Sequence, residues 1–354
     1  MKLPRITILA TLLLTAPAAA QLQITPPATT PSPPAEKQKA KPPAPAKKKE
    51  AATAPKPSAS PKPALPATVI PAPPTDNSNV DLVYGAYQRG QYKTAFELAT
   101  ARAQAGDPKA MTMLGELYSN AMGIRRDYAK ALEWYKRAAD AGDREAMFAL
   151  AMLRISGRGG PVDKGEAVKL MASAAKLGEP KAAYNLALLY LDGQTLPQDV
   201  KRSAELLRQA ADAGLPEAQY ALATFYKEGT GVPKDPERAV RLLQAASLTD
   251  NVDAEVEYAI ALFNGTGTPK NQPAAVALLR KASRQGSAIA QNRLAWVLIN
   301  GMGTSVDKVE GFKWHLVAKT SGKGDPELDK QLSDLPAEDR GKAEAAARKW
   351  LGTK

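Results

Sequence analysis

The sequence predicts an all-α fold, a solenoid of six helix–loop–helix repeats of 36 residues, with a short hairpin before them and a capping helix after them. An acidic or amide residue recurs every 36 residues from Asp127 to Asp307. Alanine recurs with the same spacing from Ala138 to Ala318, and loop glycines keep it too, without any insertion. A fixed period of this length indicates a repeat architecture, in which each unit buries its apolar face only against its neighbours.

Each half of a unit has the apolar spacing of a helix. In the fourth unit, Ala218, Leu222, Ala223 and Tyr226 lie at i, i+4, i+5 and i+8, which places them on one helical face. The loop that follows has glycines for positive φ and ends at Asp235. We call the acidic or amide residues that recur from Asp127 to Asp307 the acid column. We interpret them as helix N-caps, because a side-chain oxygen at this position accepts a hydrogen bond from a free backbone amide. These carboxylates are one repeat apart and cannot converge on one metal ion, so no metal site is predicted.

The ends of the array depart from the period. Residues 80–107 contain YGAYQRGQYKTAFELATARAQAGD, which predicts a shorter N-terminal hairpin before the six repeats of residues 108–324. Residues 325–354 leave the register, with leucines and alanines on one side and charged residues on the other. A terminal unit needs such a half-polar surface, so this segment is predicted to be a C-terminal capping helix.

The first twenty residues have the layout of a secretory signal peptide. A basic start precedes an apolar run over residues 6–14, and Ala18 and Ala20 are placed for cleavage before Gln21. The apolar run is too short to span a bilayer, although an uncleaved anchor is the alternative. We therefore expect a periplasmic or secreted protein, cleaved near Ala20, with no transmembrane segment in the mature chain.

Residues 21–79 form a linker rich in Pro, Ala and Lys, with sixteen prolines between Pro26 and Pro74. Proline fixes φ and removes hydrogen-bond donors, and few large apolar residues are present, so we expect a disordered, extended tether without a core. Its eight lysines include Lys47, Lys48 and Lys49, which suggest weak contact with cell-wall polymer or anionic lipid. The alternative is a solvated linker that binds nothing.

Composition excludes several functional classes. The chain has no cysteine, which excludes disulfides, thiolate metal sites and cysteine nucleophiles. Of the net charge of +12, the signal peptide and linker carry seven units and the remaining five are spread among alternating acids and bases. A nucleic-acid-binding protein would concentrate basic residues on its folded face, so no nucleic-acid partner is expected.

The repeats resemble a known family. The segments KAMTMLGELYSNAMGIRRDYAKALEWYKRAADAGD and EAQYALATFYKEGTGVPKDPERAV are similar to the Sel-1-like repeat, a relative of the tetratricopeptide repeat. The resemblance implies a right-handed α/α superhelix that acts as an adaptor, often in the bacterial periplasm. The disulfides of the cysteine-rich secreted subset of that family are absent here, so no activity of that subset is carried over.

No catalytic or cofactor site is predicted. His315 is the only histidine and lies in a column of inward-facing residues, which favours packing over a role as a general base. The G-x-G loops follow helices and not strands, so they do not fit a dinucleotide or phosphate-binding loop. A hydrolase remains the remote alternative, since no nucleophile, base and orienting group share a recognisable spacing.

The positions that the repeat leaves variable provide the candidate binding surface. If the units pack like tetratricopeptide hairpins, the residues two before and two after the leucine of each first helix point into a concave groove. The candidate partner-binding residues are Phe148, Met152, Tyr184, Leu188, Tyr220, Ile260 and Trp296. The alternative is that these side chains fill gaps between successive units.

From these observations we expect a non-catalytic scaffold or adaptor that binds a protein or peptide partner in this groove. An envelope location is compatible with a role in envelope regulation or integrity. The alternative function is a spacer associated with the cell envelope, in which the basic linker makes the contact with wall polymer or anionic lipid.

Overall fold

The computed structural model describes residues 81–249 and 251–352, and within these ranges every regular element is a helix. The predicted signal peptide (1–20) and the predicted linker (21–79) lie outside the described residues. Sixteen helices follow one another in the described part of the chain. They are α1 Leu82–Gln88, α2 Tyr92–Gln104, α3 Pro108–Asn120, α4 Tyr128–Asp140, α5 Arg144–Ser156, α6 Lys164–Lys176, α7 Pro180–Asp192, α8 Val200–Asp212, α9 Pro216–Glu228, α10 Pro236–Ser247, α11 Val252–Asn264, α12 Gln272–Arg284, α13 Ala288–Asn300, α14 Lys308–Thr320, α15 Pro326–Ser333 and α16 Ala337–Gly352.

Six successive helix pairs, from α3–α4 to α13–α14, form the repeating units. The two helices of a unit pack on each other, and the second helix of each unit packs on the first helix of the next. The recurring alanine column is fully buried in all six units, and its small side chains let the helices approach closely. Its members are Ala138, Ala174, Ala210, Ala246, Ala282 and Ala318. The predicted all-α solenoid of six 36-residue repeats is therefore confirmed.

The apolar interior is formed by clusters of buried residues, and the two largest each span several units. A central core of buried side chains extends from Ala151 on α5 to Ala254 on α11. A C-terminal core extends from Val256 on α11 to Ala347 on α16. No single hairpin encloses either core, because both are built from helices of several consecutive units.

The acid column caps the second helix of every unit, as predicted. Each side-chain oxygen accepts a hydrogen bond from the backbone amide three residues later, for example Asp235 from Arg238 at 2.9 Å. The six caps are Asp127, Asp163, Asp199, Asp235, Asn271 and Asp307. These contacts satisfy amides that a helix start otherwise leaves unpaired, so the column is explained by local structure.

The two loop glycines of a unit have different roles. The first ends the first helix in the left-handed conformation, with Gly229 at φ 80°. Ala121 takes this place in the first unit, at φ 58°, and is the one non-glycine residue with positive φ in the described ranges. The second glycine meets the preceding unit: a Cβ on Gly267 would lie 2.3 Å from the carbonyl oxygen of Pro236. The G-x-G pattern is thus a requirement of packing between units.

The ends of the solenoid close it differently. Helices α1 and α2 lie within the predicted hairpin of residues 80–107. The predicted capping helix is in fact two helices, α15 and α16, separated at Pro336. A residue before proline is disfavoured in the α conformation, so the helix stops before Leu335 and restarts after the proline. Helix α16 packs on α14, and Leu328 of α15 is fully buried.

Candidate partner-binding surface

The seven candidate residues, here called the strip, lie on the first helices of units two to six. Phe148 and Met152 lie on α5, Tyr184 and Leu188 on α7, Tyr220 on α9, Ile260 on α11 and Trp296 on α13. All seven side chains are half-buried. On α7, for instance, the intervening Leu186 points into the core and is only 4% exposed. The helical spacing thus leaves one residue buried and the two around it partly accessible.

The strip also contributes to packing. Phe148, Met152, Tyr184 and Tyr220 contact the central core, and Ile260 and Trp296 contact the C-terminal core. Half burial is what the gap-filling alternative requires, and the exposed remainder is what a partner would contact. Half burial of these side chains is therefore compatible with both gap filling between units and partner binding.

One position interrupts the strip in the fifth unit. Val256 occupies the place equivalent to Tyr184 and Tyr220, and it is buried at 4% exposure. Of the two strip positions on α11, only Ile260 is therefore partly accessible.

Burial and nearby carboxylates raise the pKa of both tyrosines of the strip. Burial and then the charge of Glu217 raise the pKa of Tyr184. Burial and then the charges of Glu257 and Asp253 raise the pKa of Tyr220. Both phenols therefore stay protonated at neutral pH and can donate a hydrogen bond to a ligand.

Polar contacts also join the first helices of successive hairpins. The Tyr87 hydroxyl donates to Glu116 at 2.7 Å, joining α1 to α3. The Lys227 ammonium donates to Glu257 at 3.1 Å, joining α9 to α11. Sequence reasoning missed these contacts, because their residues occupy variable columns and only the packing of neighbouring units brings them together.

The capping segment contacts the last helix of the strip. The indole N–H of Trp296 donates to Asp325 at 2.9 Å. The Asn292 side-chain amide donates to the carbonyl oxygen of Lys323 at 3.1 Å. The polar end of Trp296 is therefore engaged, whereas the hydroxyls of Tyr184 and Tyr220 form no hydrogen bond within residues 81–249 and 251–352.

His315 lies fully buried on α14, as its column predicts. Its Nε2 is 2.9 Å from Asp329 Oδ1, and the Lys319 ammonium donates to the same oxygen at 2.7 Å. The three side chains join α14 to α15, a structural contact that the sequence did not reveal because α15 lies outside the repeat register. Hydrogen bonds from Lys319 and His315 lower the pKa of Asp329.

Residues 81–249 and 251–352 contain no group of three His, Asp or Glu side chains arranged to hold a metal ion. None of the helices described there is long and apolar enough to cross a membrane.

Comparison with known proteins gives a family and two similar structures. A family model described as the Sel1 repeat matches residues 108–143, 144–179, 180–215, 216–248, 252–287 and 288–322. The crystal structure of c5321, a protective antigen present in uropathogenic Escherichia coli strains and displaying an SLR fold, is 26% identical with a TM-score of 0.66. That match covers 76% of this chain and 59% of c5321, so the chain spans about three-fifths of that protein.

A Sel1 repeat protein from Oxalobacter formigenes is 24% identical, with a TM-score of 0.57 over 67% of this chain and 94% of that one. This second likeness concerns the fold. No curated protein matches the chain.

Proposed function

The chain belongs to the Sel1 repeat family, and from that membership we propose that it is an adaptor which binds a protein or peptide segment along the strip. Sel1 repeat proteins generally mediate protein–protein interactions as scaffolds, and the family is generally non-catalytic. The proposal adds a location for the contact to that general role.

The observation that carries the proposal is the alignment of seven half-buried apolar side chains on consecutive first helices. Six of the seven, all but Leu188, pack against a core while remaining partly accessible, so the core restricts their conformations before a partner binds. Aromatic anchors that are rigid before binding lose little entropy on binding, and a few of them supply most of the affinity of an interface. Tyr184 and Tyr220 have the chemistry of such anchors.

Affinity capture with paired variants tests the proposal. The full chain with Tyr184→Ala and Tyr220→Ala is compared with a control carrying Leu177→Ala and Leu248→Ala. The control removes two apolar side chains that are 49% and 80% exposed outside the strip. We expect the tyrosine variant to lose a captured partner that wild type and control retain. Retention of every partner by the tyrosine variant would contradict the proposal.

We further propose that the protein is exported to the periplasm or secreted after cleavage near Ala20. The layout of residues 1–20 supports this, since a basic start, an apolar run and small residues precede Gln21. N-terminal sequencing of the protein from its native cells tests it. A mature chain beginning at Gln21 is expected, and a chain that retains Met1 would contradict export by cleavage.

A second candidate function is a spacer associated with the envelope. The eight lysines of residues 21–79 favour it, because clustered basic residues attract anionic surfaces. Deletion of residues 21–79 separates the two functions. Loss of sedimentation with envelopes together with retained partner capture would assign localisation to this segment and binding to the strip.

A further inference from the structure

The loops of the first two units contain three arginines that the repeat pattern does not require. Arg125 stands where the next four units have proline, at positions 161, 197, 233 and 269. Arg158 stands in a column otherwise made of Met122, Gln194, Thr230, Thr266 and Met302. Arg126 precedes the N-cap Asp127. We call Arg125, Arg126 and Arg158 the arginine cluster.

Two members of the cluster, Arg126 and Arg158, contact the aromatic ring of Tyr128. The guanidinium carbon of Arg126 lies 5.7 Å from the centroid of the Tyr128 ring, and that of Arg158 lies 5.5 Å from it. Cation–π attraction of this kind holds a guanidinium group in place while its N–H edges stay accessible. The cations of two different units are thus held at one point.

The junction between units fixes this arrangement. Gly159, the neighbour of Arg158, has φ 79°, and a Cβ on it would lie 2.3 Å from the carbonyl oxygen of Tyr128. The backbone beside Arg158 therefore touches the backbone beside the ring. The same contact between a second loop glycine and the backbone of the preceding unit recurs elsewhere in the solenoid, for example at Gly267. The proximity of Arg126 and Arg158 is therefore set by backbone packing as well as by their flexible side chains.

The positive charge of the cluster is not balanced by the described residues. All three arginines are exposed, and none forms an ion pair there. The adjacent Asp127 is used by α4: it accepts a hydrogen bond from the Lys130 amide at 3.0 Å, and its carboxylate lies 3.9 Å from the Lys130 ammonium. The nearby Arg154 differs, since Glu166 pairs with it at 3.2 Å.

We propose that the arginine cluster binds the phosphate group of an anionic ligand. Like charges held close together repel each other, and a bound anion removes that repulsion. Guanidinium groups donate pairs of parallel hydrogen bonds to phosphate oxygens, a geometry that ammonium groups lack. The phosphate belongs either to a lipid headgroup or to a free phosphate compound. This site lies on the loops and is separate from the strip on the first helices.

Vesicle sedimentation tests the proposal with the full chain. The probes are vesicles of phosphatidylcholine alone and of phosphatidylcholine mixed equally with phosphatidylglycerol. The variant carries Arg125→Gln, Arg126→Gln and Arg158→Gln. The matched control carries Lys169→Gln, Lys176→Gln and Lys201→Gln, which removes the same charge from three exposed residues of α6 and α8. The lysines of residues 21–79 are identical in both variants and contribute equally.

We expect the cluster variant to bind the anionic vesicles at least about tenfold more weakly than the control, since each cation near an anionic surface contributes several-fold in affinity. Sodium pyrophosphate distinguishes the two sources. If pyrophosphate competes with vesicle binding, the site recognises phosphate groups in general. If it does not compete, the site recognises lipid headgroups.

Two results would overturn the proposal. One is equal loss of vesicle binding in the cluster variant and the control, which would make the arginines ordinary solvated charges. The other is cluster-dependent binding of poly-glutamate by a protein that binds neither anionic vesicles nor pyrophosphate. In that case the cluster would recognise carboxylates, as in an acidic protein segment.

Discussion

Trp296 donates its indole N–H to Asp325 at 2.9 Å, and Asp325 is also the N-cap of α15. One carboxylate therefore connects the last helix of the strip to the capping segment. The strip has a defined C-terminal end at Trp296, and the capping helices are held by a polar contact in addition to buried leucines.

The double role of Asp325 predicts a measurable loss on substitution. Asp325→Ala removes both the helix cap and the partner of Trp296, and we expect a loss of about 2 kcal/mol in the free energy of unfolding. Urea denaturation followed by tryptophan fluorescence measures it. Asp334→Ala, an exposed change at the other end of α15, is the control and should cost much less. Equal effects of the two changes would refute the double role.

Substitution of two different repeat glycines by alanine should destabilise the fold to different extents. Gly286→Ala places a side chain at φ 95° with no atom within 4 Å, so only backbone strain of about 1 kcal/mol is expected. Gly267→Ala adds a clash with the Pro236 carbonyl oxygen at 2.3 Å, and we expect a loss of about 3 kcal/mol. Thermal unfolding of both variants compares them. Similar melting temperatures would show that the second loop glycine is not needed for contact between units.

A buried glutamate provides a site for stabilisation. Glu255 is fully buried, with Lys281 at one oxygen and no hydrogen-bond partner for Oε2. The equivalent Gln219 and Gln291 donate to carbonyl oxygens of the preceding helix, at 3.3 and 3.1 Å. Glu255→Gln should supply the missing donor and remove a buried charge, stabilising the fold by about 1 kcal/mol.

Urea denaturation at neutral pH measures this effect, with Glu257→Gln as the control because Glu257 is partly exposed and paired with Lys227. A destabilised Glu255→Gln variant would show that the charge pair with Lys281 outweighs the unsatisfied oxygen.

The contact of Asp329 with Lys319 and His315 predicts a pH dependence. These hydrogen bonds lower the pKa of Asp329 below its ordinary value of 3.8, so the folded state favours the ionised carboxylate. The resulting stability is present above that ordinary value and is lost as the pH falls through the lowered pKa. The difference in unfolding free energy between wild type and Asp329→Asn should therefore be larger at pH 6 than at pH 2.5. A difference that stays constant over this range would contradict the linkage.

The helices and the caps of the second helices could be predicted from the sequence, because the same residue pattern recurs in all six units. The column of acidic or amide residues predicted the six N-caps of the second helices, and the alanine column indicated the period of the repeat. A second column of N-caps, on the first helices, was not predicted, although all its members but Asn251 directly follow a glycine at the end of the preceding unit. Its members are Asp107, Asp143, Glu179, Asn251 and Ser287.

What could not be predicted depends on contacts between units. The half burial of Tyr184 and Tyr220 is set by the neighbouring helix, and the bond from Trp296 joins residues 29 positions apart outside the period. The division of the cap at Pro336 depended on a single proline in a segment without repeat partners for comparison. The gathering of Arg126 and Arg158 around Tyr128 required the geometry of two loops from different units.

Site-specific photo-crosslinking tests most directly whether the strip binds a partner. A benzophenone amino acid replaces Tyr184 or Tyr220 in the full chain, and replaces Leu177 or Leu248 in the controls, before irradiation of intact cells. The account predicts that both strip positions crosslink to the same discrete partner and that the control positions do not. Crosslinks to that partner from the control positions alone would contradict the central claim and assign binding to another surface.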